Sequence, residues 1–329
     1  MPEPAETGQQ EEQTPNPKKK GCLGISLPLA IGLPVVATLF LVGLGSGPLG
    51  KNIIGDVFPS WLSVPQPHPE LPAEVVFHLF GFPITNSIVA TWITIIVLAG
   101  FSFLVTRRLR IIPKRWQALL EFILGALLDF CQKVAGERDG RRFFPVVATI
   151  FLFVAFNAWL ALLPGYGSIL VHTAHGEAHL LRPANTDINT PLAIALVSFS
   201  SVFFFGFKSL GPGYAKKFVN VSQFLSGLGE LIRGKVVSGL NGMFIGVINI
   251  FIGHIEFLSE CVRIVSFTLR LFGNMTAGEI LLLMATFLFP FVFSDVFYIL
   301  EMLVGFVQAL IFGGLTLIFL TVAVASHEH

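Results

Sequence analysis

This sequence predicts an all-α integral membrane protein: about six membrane helices plus one amphipathic surface helix, the last two forming a long tilted hairpin. Three observations carry that prediction. Hydrophobic residues make up 53% of the 329 and charged residues only 12%, about half the charged fraction of a soluble domain, and the mean hydropathy is +0.77. The apolar residues are gathered into runs long enough to cross a ~30 Å hydrocarbon core at ~1.5 Å per residue. Lysines and arginines cluster in the short polar segments between runs, as they do on the cytoplasmic face of a bilayer. The net charge of +1, without a basic domain, gives no reason to expect a nucleic-acid partner. Cys22, Cys131 and Cys261 are odd in number and far apart, so neither a disulfide framework nor a metal site is expected. Cys131 and Cys261 read as small apolar packing residues.

Taken in order, residues 1–22 form a Pro-, Glu- and Gln-rich tail ending near Lys18-Lys19-Lys20, a composition that predicts disorder. Residues 23–49 form an apolar helix with Pro28 and Pro34 near its start. It reads either as a retained span or as a cleaved leader, with a basic flank before it and Gly45-Ser46-Gly47 near its end. Residues 50–83 are an outer connector, and Pro65, Pro67 and Pro69 exclude helix there. Residues 84–329 form the main membrane domain. Its first span covers about 86–105 and meets Arg107, Arg108, Arg110, Lys114 and Arg115, which predict the cytoplasmic side. Over 116–135, Trp116, Leu119, Leu120, Ile123, Leu127 and Phe130 recur at helical spacing against Gln117, Glu121, Asp129 and Lys133, the pattern of a helix lying at the membrane surface. Glu137 to Arg142 read as a charged, solvated turn. A span over about 143–163 follows, carrying Asn157 and ending at Pro164-Gly165.

The outer loop 164–189 holds His172, His175, Glu177 and His179. These read as loop residues, as a hydrated proton-buffering entrance or as metal ligands. The span over about 191–207 runs inward to Lys208, Lys216 and Lys217. Residues 240–290 are apolar for ~75 Å of helix, so they hide two spans or form one strongly tilted helix. Periodicity does not decide between the two. Gly242 and Gly246 mark a close-packing surface. A last helix covers about 296–325.

The polar residues inside the last two helices are few: His254, Glu256, Glu260, Arg263, Arg270, Asn274, Glu279, Glu301 and Gln308. Arg270 stands apart, its nearest charged neighbours in sequence being Arg263 and Glu279. A guanidinium stays protonated at any ordinary pH, and placing one deep in a bilayer costs ~3 kcal/mol or more. Arg270 is therefore a candidate functional residue, the alternative being an arginine that snorkels from a helix end. Glu256, Glu260, Arg263, Arg270 and Asn274 fall on roughly one helix face, whereas Glu279 points nearly opposite. With a hairpin turn near 290–294, Glu279 and Glu301 come to one end, Gln308 to the depth of Arg270, and Glu256 and Glu260 to the other end. Two acids in a low-dielectric site do not both ionise easily, which suits a proton relay. Arg263 with Glu256 or Glu260 also reads as a structural ion pair.

Leu269-Arg270-Leu271-Phe272-Gly273-Asn274-Met275, followed by Ala277-Gly278-Glu279, resembles the core motif of subunit a of F-type ATP synthases. The likeness covers roughly residues 70–329. Asn157-Ala158-Trp159-Leu160-Ala161-Leu162-Leu163-Pro164 resembles the family's Asn-x-x-x-x-Leu-Leu-Pro segment, and Asp187-Ile188-Asn189-Thr190-Pro191-Leu192 resembles its Asp-x-Asn-x-x-Leu. Leu160 stands where some members carry an acid. The resemblance implies a stator subunit with two offset half-channels. Arg270 would be the essential arginine separating them. Asn274, Glu279 and Gln308 would match the polar positions around it. Glu301 would be the partner of the acid at 279, and Glu256 an acid on the exit side. Asn157, Glu260, His254, Asp187, Asn189, His172 and His175 complete the candidates. The implied partners are the c-ring subunits, the subunit b peripheral stalk and the rest of the ATP synthase. The implied setting is a multi-pass protein of the bacterial plasma membrane. No nucleotide signature is present, and no cofactor is expected. A secondary transporter with a midplane charged site is the alternative class, though the chain shows no obvious internal repeat.

Overall fold

The computed structural model describes residues 27–48, 73–107, 115–173, 176–218 and 221–325. The N-terminal tail, the proline cluster at 65–69, Arg108, Arg110, Lys114, His175 and the last four residues lie outside the described residues. Among the described residues, seven α-helices run in chain order: α1 (Leu27–Ser46), α2 (Asn86–Thr106), α3 (Arg115–Ala161), α4 (Asn189–Leu210), α5 (Ser222–Ile232), α6 (Val236–Leu288) and α7 (Val292–Ala325). The described residues also include two antiparallel hairpins, β1 (Val75–Leu79) with β2 (Phe82–Thr85) and β3 (Leu170–Thr173) with β4 (Gly176–His179). Both lie in segments that the sequence marks as connector and outer loop. Two short strands bury too little to register as a periodic pattern.

Among the described residues, five helical segments are long and apolar enough to cross a membrane: Asn86–Thr106, Arg115–Ala161, Asn189–Ala215, Val236–Leu288 and Ser294–Ala325. α1 contributes a shorter apolar segment, Ile31–Ser46. The outward faces carry large apolar side chains such as Ile96, Leu104, Phe204, Phe251, Ile299 and Leu303. Water would not tolerate such continuous apolar surface on a monomer, whereas lipid does.

α3 consists of two helical segments that meet at Gly136, whose φ of 81° and ψ of 166° are non-helical. A positive φ of this kind is open to glycine and strained for other residues. The chain then doubles back so closely that a Cβ on Gly140 would lie 2.7 Å from the Cys131 carbonyl oxygen. The amphipathic 116–135 segment is thus the first limb. The turn is one residue, and Glu137 to Arg142, expected as a charged turn, already belong to the second limb. Their i, i+3 and i, i+4 spacing satisfies helix as readily as loop; Arg142 approaches Asp139 at 3.9 Å.

α6 settles the path of 240–290. It is one helix of 53 residues, ~80 Å long at ~1.5 Å per residue. Only a strong tilt, or an extension beyond the hydrocarbon, accommodates it. α7 returns antiparallel. Phe267 meets the rings of Phe312 and Phe319 at 4.7 and 5.7 Å, and Asn274 meets Gln308, so partners on α7 fall in number as those on α6 rise.

The chain divides into two compact units, one of residues 1–66 with 284–296, the other of 67–283 with 297–329. In the first, Gly43 of α1 and Gly47, just past its end, pack directly on the backbone carbonyls of Pro290 and Leu288. In the second, the core joins α3, α4, α6 and α7 through Phe143, Val147, Phe151, Ile194, Leu271 and Phe312. Ser198 and Thr316 share a buried hydroxyl bond of 2.8 Å between α4 and α7. The Trp159 indole donates to the Met302 carbonyl at 3.2 Å.

Candidate functional site

Arg270 projects from the middle of α6 and is half-buried. Among the described residues no carboxylate reaches ion-pair distance of it. Its guanidinium carbon lies 5.8 Å from the Phe267 ring centroid, at the edge of the range for a cation–π contact. One turn further on, Asn274 donates from Nδ2 to Gln308 Oε1 on α7 at 2.8 Å. Gln308 is 2% exposed. Its Nε2, the Asn157 Nδ2 and the Thr276 hydroxyl are buried without a hydrogen-bond partner among the described residues. Buried amides and hydroxyls of this kind are commonly satisfied by ordered water. The apolar bundle therefore holds hydratable polar positions on α3, α6 and α7.

Toward the α7 end of α6, a cavity of about 500 Å³ is lined by Glu279, Glu301, Arg182, Glu74, His179 and Tyr166, among others. Arg182 Nη2 pairs with Glu279 Oε2 at 3.3 Å. Glu301 is 7% exposed and has no ion-pair partner among the described residues. Its carboxylate rests against Gly278, where any Cβ would overlap both carboxylate oxygens. The cavity wall is fastened by the loop residues. The His179 amide donates to Glu74 Oε2 at 3.1 Å, its Nδ1 bonds the Gly167 carbonyl at 2.6 Å, and Asn86 Nδ2 donates to the His179 carbonyl at 3.3 Å. Burial pushes the Tyr166 phenol up to about 12, so that hydroxyl stays neutral at working pH and remains a donor.

Toward the N-terminal end of α6, Arg263 Nη1 bonds both oxygens of Glu260 at 2.8 and 2.6 Å, and its guanidinium lies 3.8 Å from the Phe319 ring centroid. Glu260 is 3% exposed, so this acid is held in a nearly dry ion pair. Of the two acids that sequence left open as partners of Arg263, the structure selects Glu260. Glu256 is half-buried and His254 exposed.

The sequence-predicted residues thus fall into groups. Asn274 and Gln308 meet directly, Glu279 and Glu301 share a cavity, and Glu260 is paired with Arg263. Asp187 and Asn189 are engaged elsewhere. Asp187 accepts from Ser87 Oγ at 2.7 Å and from the Asn189 amide and side chain at 3.1 and 2.9 Å. That is an Asx-type turn launching α4 and tying it to α2. His172 pairs with Glu177 in the backbone register of the second hairpin, and His175 lies outside the described residues. Among the described residues no cluster of metal-ligating side chains occurs. Sequence reasoning misses Arg182, Glu74 and Tyr166. Each sits in a polar segment where such residues are ordinary, and no spacing rule links residue 182 to residue 279.

These features define a class: a multi-pass membrane protein whose two antiparallel helices α6 and α7 carry acids that share a cavity and, among the described residues, an arginine without a carboxylate partner. The family model of the ATP synthase A chain matches residues 88–321. Relatives named ATP synthase subunit a include one from Gloeobacter violaceus, 31% identical over 74% of this chain and 85% of its own length. Another, ATP synthase subunit a 3 of Pelobacter propionicus, is 33% identical over 70% and 83%. A third, from Desulfosudis oleivorans, is 30% identical over 80% and 99%. The chain belongs to the ATP synthase A chain family. It is a multi-pass protein of the bacterial inner membrane and a membrane-sector component of the F-type ATP synthase, serving proton transport and ATP synthesis.

Proposed function

We propose that this subunit is the stator of the membrane sector and supplies two offset half-channels to a ring of c subunits, with subunit b of the peripheral stalk as a further partner. Protons enter from outside by the cavity at Glu279 and Glu301, with Asn157 near the path, and reach a carboxylate on a c subunit. The neutralised carboxylate rotates through lipid and later releases its proton to the cytoplasmic side near Glu256. Arg270 separates the two paths. Its fixed charge favours the ionised c-ring carboxylate and repels a proton moving straight across. Asn274 and Gln308 hold the polar surface beside it.

The observation that carries this reading is Arg270 itself, half-buried on an apolar helix with no carboxylate partner among the described residues. A cation on an apolar helix in a membrane is expensive without a counter-charge, and a carboxylate on an adjoining rotor would meet that need. The test is ATP-driven proton pumping in inverted vesicles for Arg270→Ala and Arg270→Lys, with assembly checked by blotting. Pumping is expected to be lost in both while the complex stays intact. Normal coupled pumping by Arg270→Ala would sink the mechanism.

A further inference from the structure

Glu279 is held from outside its own helix. Arg182 sits in the loop between β4 and the 3-10 turn Ala184–Thr186, and only 8% of the residue is exposed. A buried guanidinium keeps its charge and must be paired, and the 3.3 Å contact with Glu279 contributes to that pairing. The loop that carries it is firmly fastened. Leu180 donates its amide to the Ile169 carbonyl at 2.8 Å, and Thr186 Oγ1 bonds the Pro183 carbonyl at 2.7 Å. On one side His179 is anchored to Glu74 and Gly167; on the other, Asp187 is anchored to Ser87 and Asn189. Pro183 restricts the backbone of Arg182 as well as its own. The cation is thus mounted on a braced support rather than on a swinging surface side chain. Glu279 retains 24% side-chain exposure and lines the cavity, so the pair stands at the cavity wall and not in a sealed core.

We propose that Arg182 is a positioning residue for proton delivery: its ion pair fixes the Glu279 carboxylate in one place on the cavity wall, beside Glu301. This rests on the half-channel reading above. A relay depends on donor and acceptor holding their separation, and misplacement by ~1 Å can cost on the order of a hundredfold in rate. A loop-borne arginine braced at both ends supplies that constraint to a helix-borne acid that has no other ion-pair partner among the described residues.

The test uses the whole ATP synthase in inverted vesicles, comparing wild type with Arg182→Gln, Arg182→Lys, Glu279→Gln and the double variant Arg182→Gln/Glu279→Gln. Pumping rates are normalised to assembled complex. Arg182→Gln is expected to slow pumping on the order of tenfold, and Arg182→Lys to recover a large part of the rate because it restores the charge. The double variant is expected to be no slower than Glu279→Gln alone, since the effect of the arginine on pumping runs through that acid. Wild-type pumping by Arg182→Gln, or losses in the double variant that simply multiply, would overturn the proposal. Should Arg182→Gln fail to assemble, Arg182→Lys decides. Pumping faster than Glu279→Gln supports the proposal, and pumping no faster overturns it. Arg270→Ala, measured alongside, keeps the two readings apart: if it blocks pumping while Arg182→Gln pumps normally, only the role of Arg182 falls.

Discussion

Glu301 sits where it does because residue 278 has no side chain. The last two helices approach closely there, and the carboxylate occupies the space a Cβ would take. Gly278→Ala would push the far end of a flexible side chain rather than backbone, so its cost in stability should be modest, ~1 kcal/mol. Its effect on function should be larger, because the displaced group is the acid facing the cavity. The expected result is a normally assembled complex with pumping reduced on the order of ten- to a hundredfold. Wild-type pumping in vesicles containing Gly278→Ala would show that the seat of Glu301 is immaterial. At this scale the sequence is informative about charge and silent about partners. Arg270, Glu279 and Glu301 stand out because ionisable groups are costly in an apolar run. Arg182 does not stand out, because arginine in a polar loop costs nothing until the fold buries it.

Among the elements, the start of α6 shows why a helix far longer than the bilayer keeps its shape. α5 folds back along it, and the two touch backbone to backbone. A Cβ at Gly246 would lie 2.5 Å from Phe224 Cα, and one at Gly242 would lie 2.9 Å from Gly227 Cα. Asn249 donates to Gln223 at 2.6 Å across the same seam. Gly246→Leu has no flexible neighbour to displace, so the helices must separate, at a cost of ~1–3 kcal/mol. Faster amide exchange over 222–232 in the purified complex is the expected signature, and unchanged exchange would refute the packing argument. The Gly242/Gly246 pair is legible in the sequence as a packing surface. Its partner is not, because α5 is only 11 residues long and its two glycines, Gly227 and Gly229, stand two apart rather than at the three- or four-residue spacing of one helix face.

For the molecule as a whole, the first unit offers a separate test. α1 exposes Ile31, Leu33, Val36 and Leu41, while Gly43, Gly45 and Ser46 near its end and Gly47 just beyond it are buried; Gly43 and Gly47 lie on the carbonyls of Pro290 and Leu288 at the turn between α6 and α7. A bulky residue there meets backbone, so Gly43→Leu should release α1 from the turn and speed amide exchange over 285–291 severalfold. Exchange indistinguishable from wild type would mean the contact does not hold the turn.

Composition and periodicity by themselves decide the membrane class, the apolar helices and the identity of the charged residues within them. All of these follow from the energetics of moving one residue, or one short helix, from water to lipid. The resemblance of 269–279 to a family motif extends this to a kind of machine. Tertiary structure alone decides that 236–288 is one helix, since two short spans and one long tilted one bury the same apolar residues. It alone turns the chain at Gly136, gives Glu260 rather than Glu256 to Arg263, assigns Asp187 to the start of a helix, and brings Arg182 to Glu279. These are pairings between residues distant in the chain. Their energies depend on separation and on shared burial, and neither exists until the helices have packed.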